Sequence, residues 1–351
     1  MSFLIYGAYG YTGELIAREA VERGLEPMLA GRDATKLRAL ATELDLPYRA
    51  VTLNVEAPLD DVLEDVPLVM HCAGPFVHTA QPMVDACLRT GTHYLDITGE
   101  IDVFSQIAGR DAEAQKAGVM LLPGVGFDVV PTDCLAAHLH ERLPEAEQLE
   151  LAIMAVGSRV SQGTATTAIE HIADGGAVRR GGEIMDVPPV WKQREVDFGR
   201  GPKSVVTIPW GDLVTAYWST GIPNITVYAR LPSTARRLMT ASQVLGGVLK
   251  SKPVQDTLKW AVRQGEPGPD EQMRKQGASI VWGEATGRDG KAVRARLFGP
   301  ETYAFTTRAA LASVEAVLDG TAPTGYQTPA MAFGADFVLG IDGVEREDLD
   351  A

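Results

Sequence analysis

A glycine-rich turn lies between the first apolar run of the chain and its first helical pattern. Phe3–Tyr6 is a short, continuous apolar run, as in a parallel strand that is covered on both faces. Three glycines spaced as G-x-x-G-x-x-G follow in Gly7–Gly13, and apolar residues recur at helical spacing over Glu14–Glu22. This order of strand, turn and helix places unpaired amides and the helix dipole where a pyrophosphate binds. The sequence therefore predicts a Rossmann-type nucleotide site.

The residues of this turn have separate expected roles. Gly7 permits the tight turn, Gly10 lets the backbone approach the phosphates, and Gly13 lets the helix pack closely. Tyr11 and Thr12 lie at the predicted start of the helix and complete the expected cofactor contacts. The alternative is a glycine turn with purely structural duties, but its place directly after the first strand favours nucleotide binding.

The end of the second predicted strand distinguishes between the two nicotinamide cofactors. In an NAD-binding domain this strand usually ends in an acidic residue that binds the ribose 2′-hydroxyl, but here Glu26–Ala30 runs into Gly31 and Arg32. A guanidinium at this point suits a 2′-phosphate, and Lys36 lies one helical turn further on. We therefore expect NADP(H). The alternative makes Arg32 and Lys36 a solvated helix start, with Asp33 as the ribose ligand.

Strand and helix patterns alternate through the first third of the chain. Four further strands are predicted at 48–53, 67–73, 93–97 and 119–122, with helices between them. Six strands with intervening helices make a doubly wound parallel sheet, so the predicted fold class is α/β. Ligands of such sheets gather at the carboxyl ends of the strands. The turn after the fourth strand should therefore line the cofactor trough, and its residues are Ala73, Gly74, Pro75 and Phe76.

Carboxylates follow the fifth and sixth strands at the same predicted edge. Glu100 comes directly after Gly99, and Asp128 follows Gly126; both glycines are expected to contact the cofactor. A carboxyl group that is partly buried there would have a raised pKa and could act as a proton donor. The catalytic candidates are Tyr94, Glu100, Asp128 and Asp133. In the alternative interpretation, the two aspartates cap the helix starting near Thr132, while Glu100 and Asp96 bind backbone amides.

The other reactive residue types favour structural roles. Cys72 has no basic side chain evidently placed to ionise it, and His71 and His93 lie on predicted strands. His138 and His140 are two apart on a helix and point to different faces, which argues against a shared metal. We expect neither a metal site nor a disulfide framework from the three cysteines.

Several motifs together resemble the saccharopine dehydrogenase-like oxidoreductases. In chain order they are Gly7–Gly13, Ala73–Phe76, Gly91–Glu100, Gly126–Asp133 and Thr328–Ala330. Gly268-Pro269, followed by Val281–Ala285, resembles in particular the branch called trans-acting enoyl reductases. This resemblance implies an NADP(H)-linked reductase that acts on acyl chains carried by a separate polyketide or fatty-acid synthase.

The domain organisation combines the residue patterns with this resemblance. From Gln148 the pattern becomes mixed α+β, including a hairpin turn at Gly287–Gly290. The predicted domains are a Rossmann domain at 1–145, an inserted α+β substrate domain at 146–322, and a carboxyl-terminal segment at 323–351. The resemblance implies that this segment returns to pack on the first domain, with a helix at Ala330–Leu339.

Composition restricts the partners of the chain. Its 351 residues include 46 acidic and 32 basic ones, a net charge of −14, which excludes a nucleic-acid backbone as an expected partner. The sparse cysteines, with no evident leader and no apolar stretch long enough for a bilayer, favour the cytoplasm. Arg236, Arg237, Lys250 and Lys252 flank an apolar stretch that would contact a membrane surface or an acidic carrier protein, although a core-facing helix is the stronger interpretation.

Three functions remain open from the sequence. The first is enoyl reduction of a carrier-bound acyl substrate with NADPH. The second is a saccharopine- or opine-type C–N dehydrogenase, whose substrate carboxylates would need arginines of the second domain; these are Arg159, Arg179, Arg180 and Arg308. The third is a non-catalytic, lipid-associated NADP-binding protein. The sequence does not decide the oligomeric state, and a homodimer is one of the possibilities.

Overall fold

The chain divides into two units in the computed structural model, which describes residues 3–53, 59–171, 174–237, 239–240, 249 and 251–349. The first unit joins Met1–Val130 to Phe305–Phe333, and the second joins Pro131–Ala304 to Gly334–Ala351. Each unit contains a β-sheet.

The first unit contains a seven-stranded parallel sheet. Its strands are β1 (Leu4–Tyr6), β2 (Met28–Gly31), β3 (Tyr48–Ala50), β4 (Leu68–His71), β5 (His93–Asp96), β6 (Met120–Leu122) and β15 (Gly325–Tyr326). Their spatial order is β15-β6-β5-β4-β1-β2-β3, and every neighbouring pair is parallel. The order therefore reverses between β1 and β4, which is where nucleotides bind in doubly wound sheets. The predicted α/β Rossmann-type sheet is confirmed.

Helices cover both faces of this sheet. They are α1 (Tyr11–Glu22), α2 (Ala34–Leu44), α3 (Asp60–Leu63), α4 (Phe76–Thr90), α5 (Ile101–Ala108), α6 (Asp111–Ala117), α12 (Thr302–Leu318) and α13 (Pro329–Phe333). Side chains alternate along β1, so that Leu4 packs into one buried cluster and Ile5 into another on the opposite face. The strands are buried on both sides, which explains why they are continuously apolar in the sequence.

The unit boundaries differ from those that the sequence predicted. The contacts place them after Val130 and after residue 304, instead of at 145 and 322. The physical reason is α12, because Leu311 and Val314 pack into the same buried cluster as Phe3 and Ile5 of the first sheet. The bounds predicted from the sequence, 146–322, place this helix in the inserted domain.

The carboxyl-terminal segment only partly matches its prediction. Residues 323–333 do return to the first unit, where β15 pairs with β6. The predicted returning helix at Ala330–Leu339 is present but shorter, because α13 ends at Phe333 and only a 3-10 turn at Phe337–Gly340 follows. Residues from Gly334 onward belong to the second unit, where the strand Glu345–Asp348 pairs with Ala295–Phe298.

The second unit is a mixed α+β structure around a nine-stranded sheet. Its strands are β7 (Ala146–Val156), β8 (Gly176–Arg180), β9 (Glu183–Val187), β10 (Gln193–Asp197), β11 (Pro202–Thr207), β12 (Asn224–Ala229), β13 (Ala278–Gly287), β14 (Ala292–Pro300) and β16 (Glu345–Asp348). Its helices are α7 (Val130–Arg142), α8 (Gln162–Glu170), α9 (Asp212–Thr220), α10 (Lys252–Arg263) and α11 (Glu271–Gln276). The predicted hairpin is present as β13 and β14.

Some elements of the second unit were not predicted. The β8–β9 hairpin turns at Gly181 and Gly182, both with positive φ, and this Gly-Gly pair is a hairpin signal that could have found it. Most of the apolar stretch between Arg237 and Lys252 lies outside the described residues, so its predicted surface contact stays a prediction. In the part of the chain that the structure describes, no helix combines the length and hydrophobicity needed to cross a bilayer.

Candidate functional site

The glycine turn after β1 is packed too closely for any side chain at two of its positions. A Cβ on Gly13 would lie 2.3 Å from the carbonyl oxygen of Gly7, and a Cβ on Gly7 would lie 2.9 Å from the Cβ of Ala73. Gly7 also has a φ of +84°, which glycine adopts most readily. The glycines therefore hold the start of α1 directly against the end of β1.

The amino terminus of α1 has no side-chain cap. Gly10 is its N-cap, with extended backbone and no side-chain cap. Because the first amides of a helix lack intrahelical partners, a helix amino terminus is a favourable place for an anion. The turn thus brings backbone close to backbone at a helix amino terminus, an arrangement that fits the pyrophosphate of a dinucleotide.

The charged residues after β2 differ in what their side chains do. Asp33 is the N-cap of α2, and its Oδ1 accepts hydrogen bonds from the amides of Thr35 and Lys36 at 3.0 and 3.1 Å. Arg32 is exposed at the end of β2. Because Asp33 is engaged in capping, this arrangement favours Arg32 over Asp33 as the residue that meets the adenosine ribose.

Glu100 anchors the turn that follows β4. The turn contains a cis peptide bond between Gly74 and Pro75 and leads into α4. The amides of Phe76 and Val77, at the start of α4, donate to the two carboxylate oxygens of Glu100 at 2.7 and 2.9 Å. Glu100 therefore binds backbone amides, as in the structural alternative for this residue, and satisfies amides at a helix amino terminus.

Replacing Glu100 with glutamine tests this anchoring role. Glutamine has one carbonyl oxygen, so one of the two buried amides loses its acceptor. We expect the free energy of unfolding to fall by about 1 to 3 kcal/mol, measured by urea denaturation. The matched control is Glu113→Gln, which changes an exposed carboxylate paired with Arg110 and should leave the urea midpoint almost unchanged. An equal shift in both variants would contradict the role assigned to Glu100.

Asp96 performs a similar task between β5 and β6. It is fully buried, and its Oδ1 accepts from the amides of Thr98 and Gly124 at 2.9 and 2.8 Å. The hydroxyl of Tyr94 donates to its Oδ2 at 2.6 Å. Burial raises the pKa of Asp96 to about 6, and burial together with Asp96 raises the pKa of Tyr94 well above its ordinary value. Tyr94 is thus a fully buried partner of Asp96, which weighs against its predicted catalytic role.

Asp128 has the electrostatic properties that the sequence predicted for a proton donor. It follows β6 and is only partly exposed, and burial raises its pKa to about 7. Its Oδ2 lies 2.7 Å from the position that a Cβ on Gly99 would take, so Gly99 makes room for this carboxyl group. Gly126 is equally confined, since its Cβ would lie 3.0 Å from Thr306. The carboxyl ends of β5 and β6 therefore meet at Asp128.

The fourth catalytic candidate belongs to a different unit. Asp133 lies in the first turn of α7, is fully buried, and accepts a hydrogen bond from the hydroxyl of Ser219 at 2.5 Å. Both residues belong to the second unit, whereas Tyr94, Glu100 and Asp128 belong to the first.

Burial suppresses the ionisation of His71, His93 and Cys72. The Nε2 of His71 lies 3.1 Å from the hydroxyl of Thr79, and burial lowers the pKa of this imidazole to about 3. His93 accepts the amide of Met120 at Nδ1, and burial lowers its pKa as well. Burial raises the pKa of the Cys72 thiol far above its usual range, so it is a poor nucleophile at neutral pH. Among the described residues, no group of carboxylates, histidines and cysteines has the arrangement of a metal site.

Comparison with known families identifies the amino-terminal domain. Residues 3–122 match the family model of the saccharopine dehydrogenase NADP binding domain. These residues include the glycine turn, Arg32 and the anchored turn before α4, so the NADP expectation and the predicted family are both confirmed for this domain.

Related proteins carry two different descriptions. A trans-acting enoyl reductase of Mycobacterium ulcerans is 30% identical over 157 residues, which cover 42% of this chain and 38% of that protein. A saccharopine dehydrogenase-like oxidoreductase of Homo sapiens is 24% identical over 213 residues, which cover 53% of this chain and 49% of that protein. The chain therefore spans less than half the length of these relatives.

Two solved structures have a similar fold over nearly the whole chain. Apo saccharopine dehydrogenase (L-Glu forming) from Saccharomyces cerevisiae superposes with a TM-score of 0.69 at 12% identity, covering 99% of this chain and 100% of that one. Homospermidine synthase from Legionella pneumophila, in complex with NAD, gives a TM-score of 0.68 at 11% identity, covering 100% and 92%. At these identities the likeness concerns the fold.

Proposed function

We propose that this chain, whose residues 3–122 are a saccharopine dehydrogenase NADP-binding domain, is an NADPH-dependent enoyl reductase acting on acyl groups bound to a carrier. The assignment of NADP(H) as the cofactor rests on the closely packed glycine turn and on the exposed Arg32 beside it. The acyl substrate rests on the similarity to trans-acting enoyl reductases. The carrier would be a domain of a separate synthase, as the word trans-acting implies.

The reaction needs little from the protein beyond orientation, polarisation and a proton. NADPH, when bound, would supply the hydride that the β-carbon of the activated alkene requires. The protein must then stabilise the developing enolate oxygen and provide a proton for the α-carbon. This chemistry needs no covalent nucleophile, in agreement with the suppressed ionisation of Cys72.

We assign to Asp128 the role of proton donor to the α-carbon. Of the candidates Tyr94, Glu100, Asp128 and Asp133, it combines partial exposure with a pKa raised to about 7. Proton donors work best when their pKa lies near the operating pH. Tyr94 and Glu100 instead hold the surrounding turns through Asp96 and the amides of α4.

The pH dependence of turnover tests this assignment. Below pH 7 Asp128 is protonated and able to donate, and the donor is lost as pH rises through its pKa. We expect kcat/KM of the wild type to decline above about pH 7. Asp128→Asn should lower kcat/KM at pH 6 by roughly 100-fold and remove the decline. Asp102→Asn, at an exposed position in α5, is the control and should keep both rate and profile. An unchanged decline in Asp128→Asn would contradict the assignment.

The opine-type alternative meets an obstacle in one of its four candidate arginines. The guanidinium of Arg179 donates to the carbonyl oxygens of Leu213 and Gly182 and lies 4.1 Å from the centroid of the Tyr217 ring. It is therefore committed to contacts inside the second unit and poorly available to a substrate carboxylate. One of the four arginines is thereby withdrawn from binding a dicarboxylic amino acid, which favours the acyl substrate.

Substrate turnover distinguishes the functions directly. NADPH oxidation would be followed with an enoyl thioester and, separately, with 2-aminoadipate semialdehyde plus glutamate. The proposal expects turnover of the enoyl thioester. Turnover only of the amino-acid pair would establish the C–N dehydrogenase instead, and tight NADPH binding without hydride transfer to either acceptor would indicate a non-catalytic protein.

A further inference from the structure

Tyr9 lies inside the glycine turn, between Gly7 and Gly10. Its ring is partly buried and packs against the cluster under the first sheet. The Cε1 atom of the ring lies 2.7 Å from the position that a Cβ on Gly31 would occupy. Glycine at the end of β2 therefore leaves the space in which the Tyr9 ring sits.

The same ring also meets the first turn of α2. The Nζ atom of Lys36 lies 5.7 Å from the centroid of the Tyr9 ring, within the range of a cation–π contact. The backbone around Lys36 is fixed independently, because the Asp33 side chain accepts the Lys36 amide. Arg32 lies between these contacts, directly after Gly31. One aromatic ring thus joins the phosphate-binding turn to the segment that carries both cations.

We propose that Tyr9 is a positioning residue that strengthens the preference for NADP over NAD. Its ring holds the Lys36 ammonium near the end of β2, so that Lys36 joins Arg32 in binding the adenosine 2′-phosphate. The contact uses the face of the ring, so the phenolic hydroxyl is dispensable. The inference rests on the proposed cofactor site and concerns binding, independently of the acyl substrate.

Calorimetric titration of NADPH and NADH tests this role. We expect Tyr9→Leu to weaken NADPH binding by about two- to fivefold, the size of an exposed cation–π contact, and to leave NADH binding unchanged. Tyr9→Phe should bind both cofactors like the wild type. In a Lys36→Met background, Tyr9→Leu should have no further effect on NADPH. Tyr48→Leu is the matched control, because it removes a tyrosine that contacts a different cation of α2. The Tyr48 hydroxyl accepts a hydrogen bond from Arg38, which lies on the same helix as Lys36.

Two results would contradict the role proposed for Tyr9. If Tyr9→Leu weakened the binding of NADPH and of NADH equally, the ring would only support the turn. If Tyr9→Leu weakened NADPH binding as much in the Lys36→Met background as in the wild type, the lysine would not be the group that the ring positions. Either result overturns the role of Tyr9 while the cofactor site stands. If the wild type itself bound no NADPH, the proposed function would fail instead.

Discussion

Replacing Gly13 with alanine should weaken NADPH binding by roughly 10- to 100-fold, the worth of one hydrogen bond from a helix amide to a charged phosphate. The added Cβ would lie 2.3 Å from the carbonyl oxygen of Gly7 and 3.1 Å from the Cα of Ala8. Both neighbours are backbone atoms, so no side chain can rotate away. Helix α1 must therefore move off the end of β1, and its first amides leave the position where the phosphates bind.

The control for this variant is a glycine at a comparable helical position. Gly163 lies in the first turn of α8, and its Cβ would meet only the Ser161 hydroxyl at 3.6 Å. Gly163→Ala should therefore bind NADPH like the wild type. Isothermal titration of both variants, with circular dichroism to verify folding, provides the comparison. Wild-type affinity in a folded Gly13→Ala protein would contradict the assignment of the glycine turn.

Replacing Arg32 with alanine should reduce the preference for NADPH over NADH by roughly 10- to 100-fold, the worth of one charge-assisted contact to a phosphate. The loss should come from weaker NADPH binding, since NADH lacks the 2′-phosphate. Asp33 should not replace Arg32 as a ligand of the adenosine ribose, because its carboxylate caps α2.

The measurement is the ratio of the two dissociation constants in the wild type and in Arg32→Ala. Arg263→Ala, at an exposed position on α10, makes the same change in net charge in the second unit and should leave the ratio unaltered. A preserved ratio in Arg32→Ala would assign the 2′-phosphate to another group. A ratio that fell equally in both variants would show a general charge effect.

The elements that the sequence predicted well are those with local signals. The strand, glycine turn and helix at residues 3–22 are encoded by short-range periodicity and by glycines whose spacing has one steric explanation. The preference for NADP(H) is also predicted from a local signal, the arginine at position 32 directly after β2. The parallel order of the first sheet then follows from the alternation of strands and helices.

The roles of the polar residues depended on partners that are remote in sequence. Glu100 is 24 residues from the amide of Phe76, and nothing in its own segment indicates that both oxygens are engaged there. The hydroxyl of Tyr94 is bound by Asp96 on the same face of β5, an i, i+2 pair that strand periodicity alone could have suggested. Asp128 kept its predicted character because burial at the end of β6 is enough to raise its pKa.

The carboxyl-terminal boundary was missed for a related reason. Helix α12 has apolar side chains suitable for either unit, and only the packing of Leu311 and Val314 under the first sheet assigns it. β16 is highly charged, with the sequence Glu-Arg-Glu-Asp, and carries no apolar alternation that predicts a strand. Its pairing with β14 supplies the order that its composition does not.

Titration of the purified wild-type protein with NADPH and with NADH, by isothermal calorimetry at one fixed ionic strength, tests the central claim most directly. The account predicts saturable binding of NADPH that is at least about tenfold tighter than that of NADH, because the glycine turn holds the diphosphate and Arg32 adds a contact to the 2′-phosphate. Absence of NADPH binding to the folded protein, or a tighter complex with NADH, would contradict it.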